Sequence, residues 1–168
     1  MPEPTQPTAL DRLRASLAAA SNENRVRSFL HRWLLLLEQP APDAEPLREL
    51  LADDLEMTLS DGRVLHTFEE VAAWYAGARE LVGVSIHHIV DLVITPAPDG
   101  GSYQLAMDFS WQGIANSGRP MTARTRHRWT LTDTGERFLR LSRFAVTQLE
   151  PFAPVTAEEA LAAFRAAC

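Results

Sequence analysis

The sequence predicts an α+β fold in which helices from the first half of the chain cover one face of a curved antiparallel or mixed sheet. Two observations indicate this. Apolar residues in the first half recur at helical spacing, and those between residues 84 and 149 alternate as they do in strands. Clusters of Pro, Gly and Asp separate the strands. With 168 residues, of which 46% are hydrophobic, the chain is long enough for one domain with a substantial core.

Composition excludes several classes of function. The net charge of −6 argues against a general nucleic-acid binder. The chain has no lysine, which rules out Schiff-base catalysis. Its single cysteine, Cys168, rules out an intrachain disulfide and a thiolate zinc cluster. Because no apolar run approaches a bilayer span and no export signal is recognisable, we expect a cytoplasmic protein with no membrane partner.

The first half is predicted to hold an extension, three helices and a short strand pair. Residues 1–21 form the extension, which includes a short helix of its own. The first helix of the body then begins at Ser21 or Asn22 and ends before Pro40. A short second helix and the strand pair follow. A capping box that begins at Thr67 opens the third helix.

The second half is predicted to be a run of antiparallel strands joined by turns. A C-terminal helix over residues 153–168 completes the chain. The strands cover residues 84–95, 103–112, 121–132 and 137–149.

Several local patterns resemble the nuclear transport factor 2 (NTF2)-like superfamily, and specifically its SnoaL-like branch of polyketide cyclase and dehydratase type. The resemblance covers residues 22–150 and implies a domain over 22–152 shaped as a cone, with a pocket between helices and sheet and commonly a dimer. The patterns that carry it are Val26–Phe29, Leu51–Leu55, His87–Asp91, Phe109–Gly113 and Trp129–Glu136.

The same resemblance bears on activity. The superfamily includes ketosteroid isomerases, cyclases, dehydratases and non-catalytic binding domains. At the three isomerase positions this chain has Phe29, Leu59 and His127, so two of the three catalytic roles have no suitable side chain. The dehydratases use histidines on the third and fourth strands, where this chain offers His87 or His88 and then Asp108.

His88 and His127 are the candidate acid/base groups. Adjacent strand residues point to opposite faces, so His87 and His88 cannot both serve one pocket. His88 shares the more apolar face and is predicted to point inward, with His87 outward. His127 is predicted on the inner face of its strand, beside Trp129. Each imidazole is either a proton-transfer group or a hydrogen-bonded core residue.

Large apolar side chains are predicted to line the pocket for a small apolar molecule. Asp108 falls on the opposite face, where an ion pair with Arg124 or Arg126 is expected. No metal site is predicted, because a carboxylate would have to join His88 and His127 inside the cone. The predicted ligand-binding residues are Trp33, Trp74, Tyr75, Met107, Phe109 and Trp129.

Two hypotheses of function follow. The first is a cofactor-free lyase, isomerase or cyclase that acts on an apolar or polyketide-like substrate, with His127 and His88 moving protons. The second is a non-catalytic dimeric module that binds a small ligand or a protein. Either form is expected to pair as a homodimer through the outer sheet face, because exposed apolar residues such as Ile89 and Val93 need cover.

Overall fold

The computed structural model describes residues 8–98, 100–156, 158–159 and 162. In these residues, three helices accompany one six-stranded sheet. Their order along the chain is α1 (Ala9–Glu38), α2 (Glu45–Arg48), β1 (Leu51–Thr58), β2 (Val64–Leu65), α3 (Phe68–Leu81), β3 (Val82–Pro96), β4 (Ser102–Ala115), β5 (Pro120–Thr132) and β6 (Arg140–Pro154).

The sheet is mixed, with the strand order β2-β1-β6-β5-β4-β3. Strand β1 runs parallel to β6, and all other neighbours are antiparallel. The inner face of the sheet and the helices enclose one apolar core, which includes Phe29 and Trp33 from α1, Val71 from α3 and Phe109 from β4. The predicted α+β architecture is therefore confirmed.

Helix α1 is one continuous helix of 30 residues. Thr8 caps it, in a capping box with Asp11. The predicted helix start at Ser21 or Asn22 is wrong, because a polar pair without Pro or Gly costs too little to break a helix. An ion pair between Arg25 and Asp133 joins α1 to the turn after β5. Hydrogen bonds from the Arg25 side chain and the Gly135 main chain lower the pKa of Asp133 to about 2.

The capping box predicted at Thr67 is confirmed. Thr67 and Glu70 make the reciprocal bonds that start α3. Thr156 and Glu159 make the same pair of bonds. Most of the predicted helix over 153–168 lies outside the described residues, and residues 153 and 154 belong to β6.

Strand β3 contains a bulge at Val90. Ile89 is paired with Phe109 of β4, but Asp91 is paired with Asp108, so one extra residue lies between the two pairs. A bulge shifts the alternation of side chains by one residue. Before it, His87 and Ile89 share the inner face with Trp111 and Phe109; after it, the even-numbered residues, such as Leu92 opposite Met107, do so.

The outer face of the sheet carries the basic residues of β5, as predicted. Arg126 makes a two-pronged ion pair with Asp108, its cross-strand partner. Arg124 pairs with Glu150 of β6. None of the helices in the described part of the chain has the length and apolarity to cross a membrane.

Candidate functional site

A cavity of about 280 Å³, partly open to solvent, lies between the helices and the inner face of the sheet. Its wall is mostly apolar, with polar side chains from β3 and β5 and the charged side chains of Asp61, Arg63 and Arg79. A cavity of this size and character suits a small apolar molecule. The aromatic side chains that define it are Trp33, Trp74, Phe109, Trp111 and Trp129.

A larger groove of about 960 Å³ lies on the surface beside α2 and β1. Acidic side chains such as Asp43 and Glu45 line it. Its histidine, His66, has Nδ1 at 3.3 Å from the main-chain oxygen of Leu55. Charged side chains line much of this groove, so the mostly apolar cavity is the better candidate site for a small apolar molecule.

His87 lines the cavity and forms a dyad with Glu38, which is not itself among the lining residues. The Glu38 carboxylate oxygen Oε1 accepts the main-chain N–H of His87 at 2.6 Å and lies 3.3 Å from Nδ1 of the ring. Burial raises the pKa of Glu38, but hydrogen bonds from the His87 ring and main chain outweigh it, so the pKa is lowered overall. An ionised carboxylate only accepts hydrogen bonds, so Nδ1 carries a proton, and in the neutral form of the ring Nε2 is the acceptor.

Glu38 belongs to the site although the sequence reasoning did not select it. It is the last residue of α1. A carboxylate is electrostatically unfavourable at the negative C-terminal end of a helix. That misplaced charge, two residues before Pro40, is the signal in the sequence that would have drawn attention to Glu38.

His127 has the opposite tautomer. The indole N–H of Trp129 donates to its Nδ1 at 3.2 Å, so Nε2 must carry the proton and donate to the Thr125 hydroxyl at 2.9 Å. Burial, with a further contribution from nearby His87, lowers the pKa of His127 to about 3. The ring is therefore neutral near pH 7 and acts as a hydrogen-bond donor rather than as a base.

Phe109 separates the two imidazoles. Its ring packs edge-on against His87, with 5.9 Å between ring centroids, and against His127 at 4.8 Å. Both imidazoles thus pack against one aromatic ring on the cavity wall. Thr125 is almost fully buried and lines the same cavity.

The predicted orientation of the β3 histidines is wrong. His88 is paired with Ser110 on the outer face, whereas His87 is paired with Trp111 and lines the cavity. The prediction extended one alternation through residues 86–94, and the bulge at Val90 breaks it. His88 thus lies away from the cavity in which it was expected to act.

The other predicted site residues divide into three groups. Trp33, Trp74, Phe109 and Trp129 line the cavity with His127, as expected for a ligand pocket. Tyr75 also lines it, but its hydroxyl is engaged by the main chain at the end of α1. Met107 is fully buried in the core and is not among the residues that line the cavity.

Within the described residues, no three His, Cys, Asp or Glu side chains converge as metal ligands. Asp108 is on the outer face in its ion pair with Arg126. Asp91 is exposed on the same face. Arg143 is exposed too, and its guanidinium binds the main-chain oxygen of Asp54 at 2.6 Å.

The sequence and the fold are similar to a known protein family and to solved structures. The family model described as a SnoaL-like domain matches residues 18–143. No curated protein matches the chain. An NTF2-like protein with a cystatin-like fold from Novosphingobium aromaticivorans is 21% identical, with 94% of this chain and 97% of that chain covered and a TM-score of 0.69.

Two solved structures with named activities share the fold at low identity. Hexachlorocyclohexane dehydrochlorinase LinA-type3 from Novosphingobium barchaimii is 12% identical, with 84% of this chain and 95% of that chain covered and a TM-score of 0.71. A proposed scytalone dehydratase from N. aromaticivorans is 10% identical, with 84% and 93% covered and a TM-score of 0.72. Since the family model spans most of the sequence, the chain belongs to the SnoaL-like domain family of NTF2-like proteins.

Proposed function

We propose that this protein is a small-molecule lyase or isomerase that removes a proton from a carbon atom, with His87 as the general base. The observation that carries the proposal is the dyad that Glu38 forms with His87, a residue on the wall of a mostly apolar cavity. An imidazole that a carboxylate orients at Nδ1, so that Nε2 can accept a proton, is the arrangement that a general base requires.

Two polar groups of the cavity, Thr125 and His127, suit stabilisation of the negative charge that develops when the proton is removed. His127 donates to the Thr125 hydroxyl, which leaves the hydroxyl hydrogen of Thr125 available to a bound molecule. In an elimination, His87 Nε2 takes the proton, the C–H electron pair forms the double bond, and the leaving group departs with its own pair. Thr125, polarised by His127, would stabilise the negative charge that develops on that group or on an enolate oxygen.

The structural neighbours support an elimination. A dehydrochlorinase removes hydrogen chloride and a dehydratase removes water, so a proton leaves carbon in both named reactions. The cavity of about 280 Å³ accommodates a small cyclic molecule. Proton transfer of this kind is completed by side chains of the chain itself, so the proposed reaction uses no cofactor.

The test measures carbon-acid chemistry directly. The wild-type protein is incubated in D₂O with hexachlorocyclohexane, scytalone and a panel of cyclic ketones, and deuterium uptake and product are followed by mass spectrometry. We expect His87→Gln to lower the rate by a factor of roughly 10²–10⁴, the usual contribution of a general base. Glu38→Gln should lower it by up to about 10⁴-fold, because an amide that donates to Nδ1 selects the wrong tautomer of the ring.

The matched control is His66→Gln, which removes the imidazole of the surface groove and should leave the rate unchanged. A wild-type protein that binds these probes, seen as quenched tryptophan fluorescence, yet exchanges no deuterium and forms no product would instead support a non-catalytic binding module.

We also propose that two copies associate through the outer sheet face. The ion pairs Arg126–Asp108 and Arg124–Glu150 satisfy much of its charge within one chain. Exposed apolar side chains remain among polar ones on the part of the face formed by β3 and β4, and β3 is a 15-residue edge strand. A second copy related by twofold symmetry would cover apolar residues with the same apolar residues. This apolar patch consists of Val84, Ile86 and Ile114 at one end of β3 and of Val93, which lies beyond Asp91.

A further inference from the structure

The end of α1 lacks hydrogen bonds that a helix normally makes. In a continuing helix the carbonyl of Leu36 would accept the N–H of residue 40, but Pro40 has none. The last helical bond runs from the Gln39 N–H to the Leu35 carbonyl at 2.8 Å. Glu38 therefore lies in the last turn of α1, where main-chain carbonyls no longer have a helical hydrogen-bond partner.

Tyr75 of α3 supplies the missing hydrogen-bond partner at the end of α1. Its hydroxyl donates to the Leu36 carbonyl at 2.8 Å and accepts the Ala41 N–H at 2.9 Å. One buried side chain thus bridges the main chain on both sides of Glu38. Burial, the largest influence, raises the pKa of Tyr75, so the hydroxyl keeps the proton that it donates.

His87, the partner of the Glu38 carboxylate, is also held in place. His87 lies on β3, at the edge of the sheet, and both its main-chain N–H and its ring approach the same oxygen of Glu38. The short 2.6 Å bond to the main chain leaves little tolerance for movement of α1. The position of the helix end therefore decides whether the carboxylate meets Nδ1 of the ring.

We propose that Tyr75 is a positioning residue: by bridging Leu36 and Ala41 across the gap left by Pro40, its hydroxyl holds the Glu38 carboxylate against His87. The inference rests on the proposed function of the dyad and adds to it the device that aligns it. The sequence analysis treated Tyr75 as a group that binds ligand; here its hydroxyl acts through Glu38.

The test is Tyr75→Phe, which keeps the ring and removes only the hydroxyl. ¹⁵N NMR of the histidine rings should show His87 as one Nδ1–H tautomer in the wild type and as exchanging tautomers in the variant. The pKa of Glu38, followed with ¹³C-labelled glutamate, should rise toward its ordinary value. Tyr103→Phe is the matched control, since it changes the other tyrosine, and both signals should stay as in the wild type.

A second variant distinguishes lost positioning of Glu38 from a general disturbance of the fold. Pro40→Ala in the Tyr75→Phe background restores an N–H donor for the Leu36 carbonyl, and part of the Nδ1–H signature should return. An unchanged His87 spectrum together with an unchanged Glu38 pKa in Tyr75→Phe overturns the proposal. Since neither readout needs a substrate, this failure is distinct from a wild-type protein that shows no carbon-acid chemistry.

Discussion

His87 and His127 line one cavity but carry their proton on opposite ring nitrogens. The difference has a local cause, because a carboxylate at Nδ1 demands a donor whereas an indole N–H at Nδ1 demands an acceptor. In the neutral ring the first arrangement makes Nε2 an acceptor, and the second makes Nε2 a donor. Two identical side chains thus acquire complementary hydrogen-bonding capacities from their partners.

The low pKa of His127 predicts a pH dependence of stability. The ring has a pKa of about 3 when folded and an ordinary value of 6.5, so between these pH values the unfolded chain binds a proton that the native state does not. The free energy of unfolding therefore falls as pH decreases through this window, by up to about 1.4 kcal/mol per pH unit. Above pH 6.5 the contribution is constant.

Urea unfolding of the wild type and of His127→Gln between pH 4 and pH 8 measures this effect. Glutamine keeps a donor and an acceptor but does not titrate, so the difference between the two curves isolates His127 from the carboxylates. We expect the wild-type curve to fall more steeply below pH 6.5. Parallel curves would show that the ring is protonated in the native state or is not buried.

Sequence reasoning identified His127 but missed Glu38, and the reason is physical. The inward position of His127 follows from a strand with regular alternation, which a sequence displays directly. Glu38 meets His87 across 49 positions of sequence through the packing of a helix end on a sheet edge. No local pattern encodes such a contact, although the unfavourable charge at the helix terminus hints at it.

At the scale of elements, the bulge in β3 reverses the predicted orientation of the side chains that precede it. The residues before and after Val90 each alternate regularly, but the two halves of β3 are out of phase. A run of mostly apolar residues offers no polar reference from which to detect the shift. In β5, alternating arginines mark one face, and the predicted orientation of that strand agrees with the register.

Gly113 on β4 predicts a second effect at this scale. A Cβ atom built there would lie 2.5 Å from two atoms of the Trp111 indole and 3.0 Å from the Val84 carbonyl oxygen. The indole is buried and packs against Phe152, with 4.9 Å between ring centroids, so it cannot move away freely. We expect Gly113→Ala to destabilise the protein by about 1–3 kcal/mol, as overpacking does.

Gly77 provides the matched control. It lies within α3, and a Cβ built there meets nothing within 4 Å. Gly77→Ala should stabilise the protein by roughly 0.5–1 kcal/mol through helix propensity. Urea unfolding gives both values, and the indole N–H resonance of Trp111 should move only in Gly113→Ala. Equal stability for the two variants would contradict the tight packing of Trp111 over Gly113.

The whole molecule follows the sequence closely where neighbours along the chain pair with each other. Strands β3 to β6 form successive antiparallel pairs, which turns and alternation predict. The parallel pairing of β1 with β6 joins Glu56 to Arg143 and has no local signature. It nevertheless completes the sheet on which α1 and α3 enclose the cavity.

The apolar patch on the outer face supports a prediction about assembly. Val93 is 54% exposed and is paired with Ala106, a small residue that leaves room for a partner's side chains. Ile89, which was expected at the interface, is paired with Phe109 on the inner face and does not belong to the patch. We expect the wild-type protein to have twice the 18.7 kDa mass of one chain in light scattering at micromolar concentration.

Val93→Asp should convert the dimer to a monomer, because twofold symmetry introduces the unpaired carboxylate twice into one interface. Leu13→Asp is the matched comparison, since Leu13 is equally exposed, at 56%, on the N-terminal part of α1, where residues 10–21 are all exposed. It should leave the dimer intact. A dimer that survives Val93→Asp but dissociates with Leu13→Asp would move the interface from the sheet to the extended helix, and a monomeric wild type would exclude both.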